Sequence, residues 1–133
     1  MKLGILTSIF DGWSFEEVLD IAQNMGFECL EVACWPKGKA ERRYAGVSHI
    51  DVERMTEEDA ARILEMCRSR KIEISSLAFY PNTLDPNLEK RRNNIEHLMK
   101  VIDASARLRV NMVTTFIGRD QNKSVEENLK IVS

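Results

Sequence analysis

The sequence predicts an α/β fold of parallel strands joined by helices. Two patterns carry this expectation. Short apolar runs alternate four times with amphipathic segments of helical length, and helix start signals head those segments, including the capping-box spacings Ser14-x-x-Glu17 and Ser124-x-x-Glu127. Strict alternation implies parallel strands with right-handed crossovers, which leaves an open doubly wound sheet or a (βα)-barrel. The chain has 133 residues, 44% of them hydrophobic, and a net charge of −2, enough for one globular domain over residues 1–133 without disulfides or a structural metal.

Composition excludes several function classes. No apolar run approaches the ~20 residues that span a bilayer, and Met1-Lys2-Leu3 leads straight into a strand-like segment instead of a signal sequence, so no membrane partner and a cytoplasmic location are expected. Near-neutral charge removes the electrostatic footprint of a protein that grips nucleic acid by its phosphates. Cys29, Cys34 and Cys67 form no CxxC pair and read as reduced, buried thiols.

Leu3 to Phe10 is the first apolar run, closed by Asp11-Gly12; the helix after Ser14 carries Phe15, Val18, Leu19, Ala22 and Met25 as one stripe, with Gly26 placed as its C-terminal cap. Cys29 to Trp35 is the second strand. After a long polar loop, Thr56-Glu57-Glu58-Asp59 opens a helix whose stripe is Ala60, Ile63, Leu64 and Cys67 and whose end carries Arg68, Arg70 and Lys71, acids and cations each at the favourable end of the dipole. Ile72 to Tyr80 supplies the third strand. Asp85-Pro86 reads as a cap before a proline at the first helical position, and Leu88, Ile95, Leu98, Met99, Ile102 and Ala106 trace the expected core face of a long third helix, with His97 on its surface. Val110 to Ile117 is the fourth strand, and Val125, Leu129 and Val132 stripe a last helix that looks cut off at Ser133.

Neither GxGxxG nor GxxxxGK[ST] follows the first strand, where Thr7-Ser8-Ile9-Phe10-Asp11-Gly12 stands, so a nucleotide-binding sheet loses its best support. A barrel of eight units needs about 250 residues, so four units are half of one.

Ala22-x-x-x-Gly26-Phe27-x-x-Leu30-Glu31 resembles the first helix and second strand of the xylose isomerase-like TIM barrels, the sugar isomerase and epimerase superfamily. Leu3-Gly4-Ile5, Ile74-Ser75-Ser76-Leu77 and Tyr80-Pro81-Asn82 extend the resemblance along the chain. It implies that residues 1–133 are the N-terminal half of a single TIM-barrel domain, about four of eight (βα) units. It further implies an enzyme that acts on a sugar or related polyol by proton transfer beside a carbonyl, assisted by a divalent metal (Mn, Mg, Co or Zn). In this family the metal ligands and catalytic carboxylates come mainly from the second half of the barrel, so no catalytic or metal-binding residue is expected here and the chain alone is expected to be inactive. Apurinic endonucleases of the same superfamily place metal-binding histidines where Leu77-Ala78-Phe79 and Phe116-Ile117-Gly118 stand, which weakens that alternative.

Candidate substrate-binding residues follow from position at the C-terminal strand ends. If Leu30 and Val32 face the helices, Glu31 points into the barrel, to meet substrate or to pair with an interior Arg, Lys or Ser. Phe10, Trp13 and Trp35 offer apolar walls for the C–H face of a sugar ring, or ordinary packing. Tyr80 and Asn82 bring a hydroxyl and an amide, although Pro81-Asn82 is equally turn chemistry. His49 is the loop histidine able to donate to a sugar hydroxyl; Gly118-Arg119-Asp120 reads either way. The loop from Pro36 to Met55, with Lys37, Lys39, Arg42, Arg43 and Tyr44, is long enough for a lid. The expected partners are a small sugar or sugar derivative and, for an open-edged half-barrel, a second copy or a complementary C-terminal half.

Overall fold

A computed structural model describes residues 1–38 and 46–132. Four strands, β1 (Gly4–Leu6), β2 (Cys29–Ala33), β3 (Glu73–Ala78) and β4 (Val113–Thr114), alternate with four helices, α1 (Phe15–Asn24), α2 (Glu57–Ser69), α3 (Leu88–Arg107) and α4 (Val125–Val132). The strands pair in parallel in the order β1-β2-β3-β4, the order of successive βα units in a barrel. No described helix is long and apolar enough to cross a membrane.

Each helix begins where the sequence supplies a cap. Ser14 accepts from the Glu17 amide while Glu17 reaches back to the Ser14 amide, and Thr56 and Asp59 do the same for α2. Gly26, at φ +81°, takes the left-handed turn that ends α1. The third cap differs from expectation. Asp85 accepts from the Asn87 amide to close a turn, and Asn87 caps α3 by accepting from the Lys90 amide at 3.0 Å, so the helix starts at Leu88.

The core lies between the sheet and the helices, with Val18, Leu19, Leu30, Val32, Leu77 and Val101 fully enclosed. Truncating any of these Leu side chains to Ala would cost about 2–5 kcal/mol. The stripes of α1 and α2 pack as expected, save that Met25 stands exposed just past the end of α1.

On α3 the expected core face is for the most part the wrong one, with Leu98 alone of it packing partly against the core. Leu88, Ile95, Met99 and Ile102 are exposed, and the buried face is His97, Val101, Ala104, Ser105 and Leu108. Small residues at 104 and 105 let the helix lie close to the sheet. His97 is buried there, with Nε2 2.7 Å from the Cys34 carbonyl and Nδ1 3.0 Å from Glu53 Oε1. A polar residue with both ring nitrogens partnered, one by the buried Cys34 carbonyl and one by the exposed Glu53 carboxylate, thus outranks the apolar stripe on the opposite side. On α4, likewise, Val125, Leu129 and Val132 are exposed and Asn128 is buried.

Strands are shorter than the apolar runs. After β1 the chain turns into a 3₁₀ turn, Thr7–Ile9, and β4 keeps two residues of the run from Val110 to Ile117. Among the described residues β4 has one neighbour, so its extent is set by what β3 can pair: Leu77 with Val113 and Ala78 with Thr114. Between β2 and β3 the register shifts, Leu30 facing Ile74 and Glu31 facing Ser76, and the extra residue Ser75 donates its hydroxyl to the Leu30 carbonyl at 3.0 Å. All three cysteines are free; Cys34 and Cys67 are buried and Cys29 half-buried. Burial pushes the Cys34 thiol up and that of Cys67 up to about 11, which keeps both unreactive.

Candidate functional site

Alternation along β2 puts Leu30 and Val32 into the helix-facing core and Glu31 on the opposite face, the one a barrel turns inward. The register shift at Leu30/Glu31 then decides what Glu31 meets. Glu31 Oε1 accepts from the Tyr80 hydroxyl and, at 2.6 Å, from Thr114 Oγ1; the two hydroxyl oxygens lie 3.1 Å apart. The partners are hydroxyls of the next two strand ends, and not the Arg, Lys or Ser of the pairing alternative. Oε1 is thus oriented by two hydroxyls, and Oε2 has no protein donor among the described residues.

Aromatic rings flank this carboxylate. Tyr80 stacks on Phe116 with centroids 4.8 Å apart and planes at 27°, and meets the edge of Trp35 at 5.6 Å; Trp35 in turn meets Phe79 at 5.7 Å. Asn82 joins the loop structure. Its Nδ2 donates to the Arg119 carbonyl at 2.8 Å, its Oδ1 accepts from the Leu84 amide at 3.0 Å, and its carbonyl accepts from Asn94 Nδ2 at 2.9 Å. Gly118 is required beside it: φ is +74°, and a Cβ would stand 2.0 Å from Asn82 Oδ1. Asp120 is buried, held by Lys123 at 2.6 Å, which keeps its carboxyl below the usual range.

Phe10, Trp13 and His49 form a second group after β1. Thr7 Oγ1 accepts from the Ala33 amide at 2.9 Å, which frees its proton for His49 Nδ1 at 3.0 Å, while His49 Nε2–H donates to the Phe10 carbonyl at 3.2 Å. These bonds fit the neutral ring. Burial holds the His49 pKa below the ordinary imidazole value, with the Phe10 carbonyl pulling the other way. Phe10 meets Trp13 at 5.7 Å, and Trp13 remains substantially exposed.

The seven candidates therefore gather into two sets, Glu31, Trp35, Tyr80 and Asn82 in one and Phe10, Trp13 and His49 in the other. Thr114, Thr7 and Phe116 were not singled out in the sequence. Thr114 reaches Glu31 only through the three-strand register, which no local pattern encodes. Of the loop read as a lid, Lys39, Arg42, Arg43 and Tyr44 lie outside the described residues, and Lys37 pairs with Asp51 at 3.0 Å.

A family model for the xylose isomerase-like TIM barrel matches residues 19–133. The chain belongs to that family. Among solved structures, a xylose isomerase-like protein from Rhodospirillum rubrum ATCC 11170 superimposes with a TM-score of 0.61 at 18% identity, over 99% of this chain and 43% of that one. Protein SMc04130 from Sinorhizobium meliloti 1021 gives 0.60 at 16% identity, over 98% and 42%. The probable 3-DHS dehydratase AsbF, involved in petrobactin synthesis in Bacillus anthracis, gives 0.53 at 18% identity, over 87% and 38%. At these identities the likeness is one of fold. The chain spans less than half the length of each of these structures. No functionally curated protein matches it.

The family's metal chemistry does not fit the residues present. Among the described residues no group of three or more His, Cys, Asp or Glu side chains could hold a metal ion. Glu31 Oε1 is taken by two hydroxyls, and His49 and His97 have both ring nitrogens committed to protein partners.

Proposed function

We propose that this chain forms the substrate-recognition half of a barrel that transforms a sugar or related polyol, with isomerisation or epimerisation as the reaction. The carrying observation is the Glu31 carboxylate, oriented by Tyr80 and Thr114 at the strand ends, with no protein donor on its second oxygen among the described residues and aromatic rings beside it. A polyol presents hydroxyl donors to such an oxygen and C–H faces to such rings. Catalytic carboxylates and a divalent cation belong, in this reading, to residues outside this chain, and the chain's own part is to bind and orient. Saturation-transfer NMR with a panel of aldoses, ketoses and polyols tests it. Ligand signals are expected with the wild-type chain and should weaken in both Glu31→Gln and Tyr80→Phe; equal signals in all three would sink the reading.

A second reading is favoured by the sheet itself. Among the described residues β1 and β4 each have one strand neighbour, so both outer edges offer unpaired backbone groups. This supports association with a complementary half-barrel or a second copy. Light scattering after size exclusion checks it, with mass above that of the 15.3 kDa chain as the expected result.

A further inference from the structure

We propose that His97 is a buried imidazolium acting as a proton-controlled latch: while charged it fastens residues 51–54 to α3 and the end of β2, and when neutral it releases them. His97 stands on α3 and is 4% exposed. Nε2 lies 2.7 Å from the Cys34 carbonyl and Nδ1 lies 3.0 Å from Glu53 Oε1. A carbonyl and a carboxylate only accept. Both ring nitrogens must therefore donate, and only the doubly protonated ring does so.

Glu53 does not carry the proton in its place. Lys100 Nζ stands 2.5 Å from Glu53 Oε2, and this bond above all holds the Glu53 carboxyl below the usual carboxylate range. The Phe79 ring, 4.5 Å from the His97 ring and tilted at 56°, is a neighbour that favours a cation over a neutral imidazole. The remaining charged and titratable groups around the ring are accounted for. Asp51, in the same segment, attracts a charged His97 and pairs with Lys37 at 3.0 Å; Lys100 opposes that charge while bound to Glu53. The Cys34 thiol is neutral, pushed up by burial, and donates to the Val32 carbonyl.

Loss of one proton forces a choice on the ring. It can keep Nε2–H for the buried Cys34 carbonyl, but Nδ1 then turns a lone pair on a carboxylate. Glu53, 44% exposed at its side chain, is left with Lys100 alone, and such surface pairs hold little. Ile50, Val52 and Met55 remain buried and the His49 amide remains on the Ala33 carbonyl at 3.0 Å, so the release stays local. Its effect reaches the barrel mouth through two contacts. Cys34 directly precedes Trp35, and Phe79 touches both the Trp35 ring, at 5.7 Å, and the His97 ring. His97 is thus a positioning residue for the Trp35 wall, whatever ligand the mouth takes. His49, earlier in the same loop, responds in the opposite sense, since its bonds fit the neutral ring and fail as pH falls.

NMR of the full chain from about pH 5 to about pH 9 tests the latch. Ring ¹⁵N resonances count the protons on His97, and backbone order parameters report on residues 51–54. Both nitrogens are expected to be protonated while the segment is rigid, with order parameters of about 0.85. As the ring loses a proton, these values should fall to about 0.6 or below, and the Trp35 indole resonance should move with the same midpoint. In Glu53→Gln, a change at an exposed side chain, the carboxamide can donate to a neutral Nδ1 while its oxygen keeps Lys100. There the ring should lose its proton with the segment still rigid. Order parameters that ignore the state of the wild-type ring, or a ring protonated at both nitrogens across the whole range, would overturn the latch. So would a segment that loosens with the ring in Glu53→Gln as it does in the wild type.

Discussion

The Tyr80 hydroxyl donates to the carboxylate of Glu31, a residue 49 positions earlier in the chain, across the β2–β3 pair. One hydrogen bond to a charged acceptor in a partly enclosed setting contributes about 1.5–3 kcal/mol. Thr114 donates to the same oxygen, so losing Tyr80 leaves the carboxylate with one donor. Tyr80→Phe is therefore expected to lower stability by about 1–2 kcal/mol. A double-mutant cycle with Glu31→Gln, read by urea unfolding, should give a coupling of about 1 kcal/mol. Because Gln keeps an accepting oxygen, additive effects would mean that the negative charge of Glu31 adds nothing to the contact.

Lys71 and Arg109 occupy left-handed backbone positions, at φ 56° and 54°, just past the ends of α2 and α3. A side chain there clashes with its own carbonyl at a cost of about 1 kcal/mol, which glycine avoids. Both cations also sit at negative helix ends, a gain that the same substitution forfeits in part. Lys71→Gly and Arg109→Gly should each raise Tm by roughly 2–4 °C, measured by thermal unfolding. Lys71→Ala, which keeps the clash and drops the charge, should raise nothing. A lower Tm for both glycine variants would show that the charge outweighs the strain.

What the sequence disclosed and concealed divides on a physical line. Order and type of the elements were legible because caps and periodicity are local: Ser14 with Glu17 and the stripe from Val18 to Ala22 act within a few residues. Glu31's inward direction was legible from alternation. The faces of α3 and α4 were not, because each carries an apolar stripe and a partly polar face, and only the partners of His97 and Asn128 decide which is buried. The Glu31, Tyr80 and Thr114 cluster needs a three-strand register with a shift at Leu30/Glu31, which is tertiary information.

His49 gives the fold a pH dependence above that of its carboxylates. Burial lowers its pKa from the ordinary 6.5, so the native state binds fewer protons than the unfolded chain below that value. Its contribution is fully present above about pH 6.5 and is lost as pH falls through the lower native value. Asp51, lowered chiefly by its bond to Lys37, and Glu53, lowered chiefly by Lys100, lose their contributions at still lower pH. His49→Gln should flatten the slope of stability against pH just below neutrality. Titration of the His49 ring by NMR should give a midpoint below 6.5, and a midpoint above it would reverse the sign of the argument.

Asn128 fixes the loop between β4 and α4. Its Nδ2 lies 2.8 Å from the Ser124 carbonyl and 3.0 Å from that of Asp120, while its Oδ1 takes the Asp120 amide. Asn128→Ala removes a donor and an acceptor together and leaves a buried amide unpaired, a loss of about 2 kcal/mol. Asn128→Asp keeps the acceptor and sets a charge beside those carbonyls, so it should be no better tolerated. Because Asp120 also braces the neighbouring loop through Lys123 and the Asn122 amide, the damage should spread there. Hydrogen exchange is expected to accelerate from Asp120 to Leu129 in Asn128→Ala while β2 and β3 stay protected; uniform acceleration across the sheet would mean that Asn128 supports the whole fold and not this loop.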